Sequence, residues 1–273
     1  MDAVPDKKPK AKKEQRGVSS IDVGGRILGV FGQASKPLTL SVLSDMTGIA
    51  AGQLHPYLVS FINMGMVEKT GRGLYQLGPF ALHLGLARLR KQNAHRMAIE
   101  RVGALSESLQ MMVSVAVWGA QGPTITYIQE YERSLHINIR VGGVYSLPMT
   151  ATGLVFCAFL PESTTAPLVE REFTDSDSSR RSFYTIDKLA FRENVEKTRA
   201  QGFGTTQDMP IPGITAISGP VFDHSGGLQL CVAAIGPSDA ISIDKDATTV
   251  RELLAFTEQL SSDLGYSEAS RTD

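Results

Sequence analysis

Between residues 19 and 78 three short helical patterns run into a hairpin, and that order in so short a span constrains the fold more than any other feature of the chain. "SSIDVGGRILGVFG" (19–32) carries apolar residues at 21, 23, 27, 28, 30 and 31, a helical stripe. Its pair Gly24-Gly25 weakens the helix by about 1 kcal/mol per glycine relative to alanine. "SKPLTL" reads as a loop. "SVLSDMTG" (41–48) reads as a short helix with Ser41 or Thr39 as N-cap and Gly48 as its stop. After the turn "IAAGQL", "HPYLVSFINMG" (55–65) predicts a third helix. "MVEKTGRGLYQLG" (66–78) is two extended runs around "TGRG", a hairpin signature. Three helices and a hairpin make the winged helix-turn-helix pattern.

Pro56 falls on the helix that should read DNA. Proline costs about 3 kcal/mol deep inside a helix and little in its first turn. The economical expectation is a helix that starts late, near His55, with Pro56 in its first position. The exposed face then offers Gln53, His55, Tyr57, Ser60 and Asn63, with no Lys or Arg between 51 and 63. Gln pairs with adenine, and a hydroxyl serves bases or phosphates. Phosphate attraction falls to Arg26, Lys36, Lys69 and Arg72, with the last at the hairpin tip, where it either enters a minor groove or simply faces solvent.

Charge follows the same division. Residues 1–90 hold twelve Lys/Arg against six Asp/Glu, and residues 91–273 hold fifteen against twenty-two, so +6 and −7 sum to the net −1. A basic end on an acidic body points to a polyanion at one end. The expected domains are a basic disordered arm (1–19), the winged helix (20–78), a linker helix (79–94), a second domain (95–264) and a tail (265–273). "MDAVPDKKPKAKKEQR" has no apolar stretch behind its lysines, and no apolar run reaches membrane-span length, so a cytoplasmic protein without membrane contact is expected. Cys157 and Cys231 stand in apolar contexts without CxxC spacing and read as buried free thiols.

From residue 111 the period changes. "HRMAIERVGALSESLQ" (95–110) is helical; "MVSVAVW", "TITYIQEY" and "HINIRVG" read as strands. "TATGLVFCAFLP", "PLVEREF" and "KLAFRENVEKTRAQG" read as helices, then "ITAISGPVFD" and "LQLCVAAIG" as strands and "ATTVRELLAFTEQLSSDLG" as a closing helix. This is an α+β sensor domain with one antiparallel sheet. The helix opening in "LPMTATGLVF" has Thr150 or Thr152 as cap and N–H groups near Gly153 and Leu154 that would face a carboxylate. A capped helix packed on a sheet accounts for the same residues.

These pieces together resemble the IclR family of bacterial transcriptional regulators from about Ser20 to Leu264. The resemblance rests on "RILGVF", "LTLSVLSDMTG", "LHPYLVSFINMGMVEK" and "GLYQLGPFALHLG", and most specifically on "VGGVYSLPMTATGLVFCAFLP" and "GFGTTQDMPIPGITAISGPVFD" with "GGLQLCVAAIGP". It implies a GAF-like effector-binding domain behind the winged helix, two-fold operator DNA as partner, a homodimer or homotetramer, and no cofactor. It places effector contacts at Leu135, Ile139, Leu147, Met149, Gly153, Leu154, Thr206, Ile214, Ala216, Ala233 and Ile235. Thr206, Ala216, Ala233 and Ile235 make a less polar pocket than a two- or three-carbon acid needs, so a larger organic acid, aromatic or medium-chain, is expected.

Other chemistry finds little support. His83, His95, His136 and His224 have no metal-ligand spacing, and Trp118, Tyr127 and Tyr131 suit core or surface as well as a cavity. GxSxG, HExxH, P-loop and GxGxxG motifs are absent, and Ser218 with His224 and Asp223 follows a strand and turn rather than a nucleophile elbow, so no enzyme is expected. The alternative is a winged helix that binds protein beside a small-molecule sensor, which the uncharged third helix allows.

Overall fold

The computed structural model describes residues 17–34, 36–71, 73–89, 93–131, 137–174 and 186–267, and the chain divides into two compact units between residues 91 and 92. The first opens with α1 (Ser19–Gln33), α2 (Leu40–Thr47) and α3 (Ala51–Asn63). Thr39 caps α2 by accepting from the Val42 N–H at 3.3 Å, and Gly48 closes it at φ 67°. Ile27 and Phe31 of α1, Leu43 of α2, and Leu54, Leu58 and Phe61 of α3 share one buried cluster. The wing, β1 (Val67–Lys69) and β2 (Tyr75–Leu77), adds Val67 and Tyr75 to it, and Leu38 bridges to Tyr75. Helix α4 (Pro79–Leu89) follows the wing.

The structure corrects the expected start of the third helix. α3 begins at Ala51, and Pro56 lies inside it, facing solvent. An interior proline forfeits its N–H bond and crowds the carbonyl four residues back, here that of Gly52, at about 3 kcal/mol. Leu54, Leu58 and Phe61 are 0%, 1% and 7% exposed. Burying three such side chains yields about 1.5–3 kcal/mol each, more than the proline costs. Leu54 joins the core through the turn that a late start would have left out.

The second unit runs α5 (Ala94–Leu109), β3 (Met112–Gly119), β4 (Gly122–Gln129), α6 (Ala151–Phe159), α7 (Glu162–Thr174), α8 (Lys188–Gln201), β5 (Gly204–Gln207), β6 (Ile214–Phe222), β7 (Leu228–Pro237) and α9 (Thr248–Asp263). Its five strands form one antiparallel sheet in the order β4-β3-β7-β6-β5. Alternation sends Val113, Val115, Ile217, Val221, Val232 and Ala234 to the face covered by α5 and α9. α6 lies on the other face, with Val155 and Phe156 against Ala116 and Cys231. Its far side, with Leu154, Cys157 and Ala158, packs on Val169, Phe191 and Val195 of α7 and α8. Ala151 through Ala158 are accordingly all buried.

Two strand expectations change. The described part of "HINIRVG" forms no strand, because the turn from Arg140 to Gly143, with Gly142 at φ 83°, breaks the pairing. Residues 142–145 instead run beside β4, where Ile125 N–H donates to Gly143 O and Tyr145 N–H to Pro123 O, both at 2.8 Å. β5 was not among the expected strands, since four residues are too few for alternation to stand out. Both cysteines are buried and unpaired. Burial, with the Glu172 charge adding to it, pushes the Cys157 thiol up to about 12, and burial alone raises Cys231. Among the described residues no helix is long and apolar enough to cross a membrane.

Candidate functional site

Strand register assembles a site on the α6 face of the sheet. Thr206, Ala216, Ile235 and Met112 are successive cross-strand partners on β5, β6, β7 and β3, so they share one face. Two residues along each strand, Gly204, Ser218, Ala233 and Ser114 form a second row on that face. α6 begins over the second row: Thr152 Oγ1 donates to Ser218 Oγ at 3.3 Å, and a Cβ on Gly204 would stand 2.3 Å from the Ala151 carbonyl oxygen. Because Val155 and Phe156 continue over Ala116 and Cys231, the Thr206 row lies ahead of the helix start. Ile214 is half-buried at the beginning of β6, on the same side as Ala216.

The helix start differs from expectation. Thr150 is the cap: its Oγ1 accepts from the Gly153 N–H at 3.0 Å and donates to Ser146 O at 2.7 Å. The Leu154 N–H makes the first ladder bond, to Thr150 O at 3.0 Å. The N–H groups of Gly153 and Leu154 are therefore occupied, since a side-chain cap takes the third helical N–H and the ladder takes the fourth. The N–H groups of Ala151 and Thr152 have no partner among the described residues. Gly153 serves packing, because a Cβ there would meet Ser146 O at 2.2 Å and Leu147 O at 2.5 Å. The side chains of Leu147 and Leu154 turn toward α7 and α8. Glu172 of α7 secures the lead-in, accepting from Ser146 Oγ at 2.6 Å and Leu147 N–H at 3.0 Å. Met149 is buried two residues before α6.

Four hydroxyls that were not among the expected contacts belong to this face. Ser114 Oγ and Tyr145 OH are 2.9 Å apart in a buried pair, and Thr152 with Ser218 makes a second. Burial pushes the Tyr145 phenol up to about 12 despite the Ser114 hydrogen bond, so it stays protonated. Thr206 Oγ1 is buried without a partner. The sequence signal was present: Ser114 and Ser218 are polar residues inside apolar strands. Beyond Tyr145, a half-open pocket of about 210 Å³ is lined by Ile125, Asn138, Ile139, Arg140, Gly143 and Val144 as well as Tyr145 itself. Leu135 lies outside the described residues.

Trp118 stacks at a tilt on Phe156, 5.5 Å between centroids, and Tyr127 joins the opposite core, under α5 and α9. Tyr131 is half-buried. No group of three metal-ligating side chains occurs among the described residues, and His95 Nε2 is buried without a partner. Asp223 closes the β6–β7 turn. Partial burial works against its ionised form, but hydrogen bonds from Ser225 and Gly227 and the nearby His224 hold its carboxyl below the usual range. Ser218 is fully buried against Thr152, so Ser218 and Asp223 serve separate contacts.

In the first unit Gln53, His55 and Ser60 are exposed on α3, while Tyr57 is half-buried against the core. Ser60 Oγ donates to Pro56 O at 3.0 Å. Arg26 on α1 and Lys36 before α2 are exposed. Lys69 ends β1 with its Nζ 5.7 Å from the Tyr75 ring centroid. Arg72 lies outside the described residues. α3 starts from Ala50 without a side-chain cap, leaving the Ala51 and Gly52 N–H groups unpartnered.

Comparison with known proteins matches residues 20–71 to the IclR helix-turn-helix domain and residues 87–262 to the bacterial transcriptional regulator IclR C-terminal domain. The chain belongs to the IclR family. Like other IclR regulators it pairs a helix-turn-helix DNA-binding domain with an effector-binding domain. It is 26% identical to the glycerol operon regulatory protein of Streptomyces griseus over 257 residues, 92% of this chain and 98% of that one. HmgR of Pseudomonas aeruginosa superimposes with a TM-score of 0.79 at 31% identity, covering 92% of this chain and all (100%) of that one. An IclR homolog from Microbacterium hydrocarbonoxydans, solved with 4-hydroxybenzoate, shares the fold at a TM-score of 0.53 and 17% identity, over 89% and 98% of the two chains.

Proposed function

We propose that this IclR regulator is a cytoplasmic homodimer or homotetramer that binds two-fold operator DNA through α3 and the wing, carries out no catalysis, and responds to an organic acid larger than glyoxylate or pyruvate. The observation that carries the effector reading is the Thr206–Ala216–Ile235 row ahead of the α6 start, flanked by Ala233 and Ile214. Its apolar members suit an aromatic or medium-chain body, and unpartnered N–H groups at Ala151 and Thr152 suit a carboxylate. The Microbacterium homolog's complex with 4-hydroxybenzoate supports an aromatic acid. On the DNA side, Gln53 and His55 stand on the exposed face of α3, and Arg26, Lys36 and Lys69 supply positive charge. The Ala51 and Gly52 N–H groups add phosphate donors. The effector would act by binding one arrangement of paired reading heads better than another.

Fluorescence anisotropy of the full chain on its own upstream DNA against scrambled DNA, over a salt series, tests the first half. Preference for the native fragment with a steep salt slope is expected; salt-insensitive binding would favour a protein-binding winged helix. Titration calorimetry with benzoate against glyoxylate and pyruvate tests the second, and tighter binding of the small acids would sink it.

A further inference from the structure

The hydroxyls on the α6 face are out of balance. A hydroxyl pair uses one proton between its members and leaves the other without an acceptor. Thr152 donates to Ser218, which leaves the Ser218 proton uncommitted, and whichever of Ser114 and Tyr145 donates, the other's proton is left over. Thr206 Oγ1 has no partner at all, although Thr206 is only 5% exposed. Three buried O–H donors, one from each pair and one from Thr206, thus face a floor with no acceptor committed to them. Apart from Tyr145, the buried polar residues among those described are Ser and Thr, all of them neutral. A buried donor without an acceptor is costly, and an oxygen-rich ligand would remove that cost.

The donors are also spaced. Ser114 is two strands from Ser218 and three from Thr206 in the order β3-β7-β6-β5. At about 4.8 Å per strand the two ends stand about 10–14 Å apart. Subtracting a hydrogen bond of about 2.8 Å at each end leaves about 4–9 Å between the outer oxygens of a ligand. One six-membered ring with an oxygen substituent at each end spans that gap, and Ala216 and Ala233 beneath it carry nothing larger than a methyl group.

We propose that the effector is a monocarboxylate with a second oxygen at its opposite end, its carboxylate taken by Thr206, Ser218 and the first N–H groups of α6, and its far oxygen read by the Ser114–Tyr145 pair. This rests on the reading of the second unit as an acid-binding domain and deepens it: Ser114 and Tyr145 become specificity residues, distinguishing acids with a distal oxygen from those without.

The test is calorimetry of the full-length protein with matched acids: benzoate and 4-hydroxybenzoate, phenylacetate and 4-hydroxyphenylacetate, hexanoate and 6-hydroxyhexanoate. In the native protein the hydroxylated member of at least one aromatic pair binds about 10-fold more tightly. Tyr145→Phe and Ser114→Ala each bring that ratio close to 1, whereas Thr206→Val weakens both members together and leaves the ratio in place. Equal binding of both members by the native protein overturns the proposal without touching the acid-binding reading, and it needs no variant to fold. A ratio that survives Tyr145→Phe and Ser114→Ala, in proteins whose thermal unfolding matches the native one, overturns it as well. Binding of none of these acids overturns the acid-binding reading and this inference with it.

Discussion

Helices α3 and α6 are both short and are opposite in exposure. α3 (13 residues) starts from Ala50 with no side-chain cap, carries a proline inside, and shows Gln53, His55 and Ser60 to solvent. α6 (9 residues) is capped by Thr150, is held at its lead-in by Glu172, and is buried along both sides. The contrast matches what the proposed function asks each to meet. A helix that docks on a polyanion gains from open N–H groups and an accessible face, because the partner's phosphates complete them. A helix at a buried site needs its lead-in fixed before a ligand arrives, since a loose donor set loses affinity to ordering. α3 owes its existence to three buried side chains on one stripe, whereas α6 is surrounded.

The sharpest break in that comparison is Gly153→Ala. With Ser146 O in the way at 2.2 Å, the substitution should destabilise the second unit by about 3 kcal/mol, seen as a lower urea midpoint. An unchanged midpoint would mean the lead-in yields freely and the site is not preformed. On α3, Gln53→Ala should cost about 1–3 kcal/mol of discrimination between operator and scrambled DNA. Lys69→Ala should instead weaken both DNAs equally and reduce the salt slope by about 1 per protomer. Exchange of those two outcomes would reassign which residue reads bases.

Reversing the caps is a finer test. Thr150→Ala should lower stability by about 1 kcal/mol, and Ala50→Ser should raise it by about 0.5–1 kcal/mol while weakening DNA binding, because the new cap occupies an N–H that the proposed docking gives to phosphate. Unweakened DNA binding by Ala50→Ser would show that α3 docks by side chains alone. The smallest effect concerns the thiols. Cys157 and Cys231 have folded pKa values above the unfolded one, so their contribution to stability is complete below pH 9 and falls as pH rises, for Cys157 toward 12. At pH 8 a thiol reagent should react with neither until the chain unfolds, and prompt reaction would contradict the closed packing around α6.

The stop of α2 at Gly48 was legible and its cap was narrowed to Thr39 or Ser41, because such signals act within one turn of the chain, and the wing was legible from "TGRG" between two extended runs. The start of α3 was not. Pro56 gives a correct local signal for a helix boundary, and the burial of Leu54 overrides it, a term that exists only once α1 and α2 are in place. The expected strand near 137–142 failed for a related reason: β-branched residues favour extended backbone, but the turn at Gly142 decides whether a ladder forms. In the candidate site, Thr206, Ala216, Ala233 and Ile235 were named by resemblance, and β-sheet register shows them to be neighbours.

By itself, then, the sequence determined most of the elements and their order, narrowed two helix caps to a pair of hydroxyl residues each, and set the charge division between the two ends. Tertiary structure alone decided where α3 begins, which N–H groups of α6 are open, and that Ser114 meets Tyr145, and Thr152 meets Ser218, across separations of 31 and 66 residues. Local signals survive in a sequence because their partners lie a turn away. A pair brought together by strand register and helix docking leaves no periodic trace, since its members are ordinary hydroxyls until the fold buries them side by side.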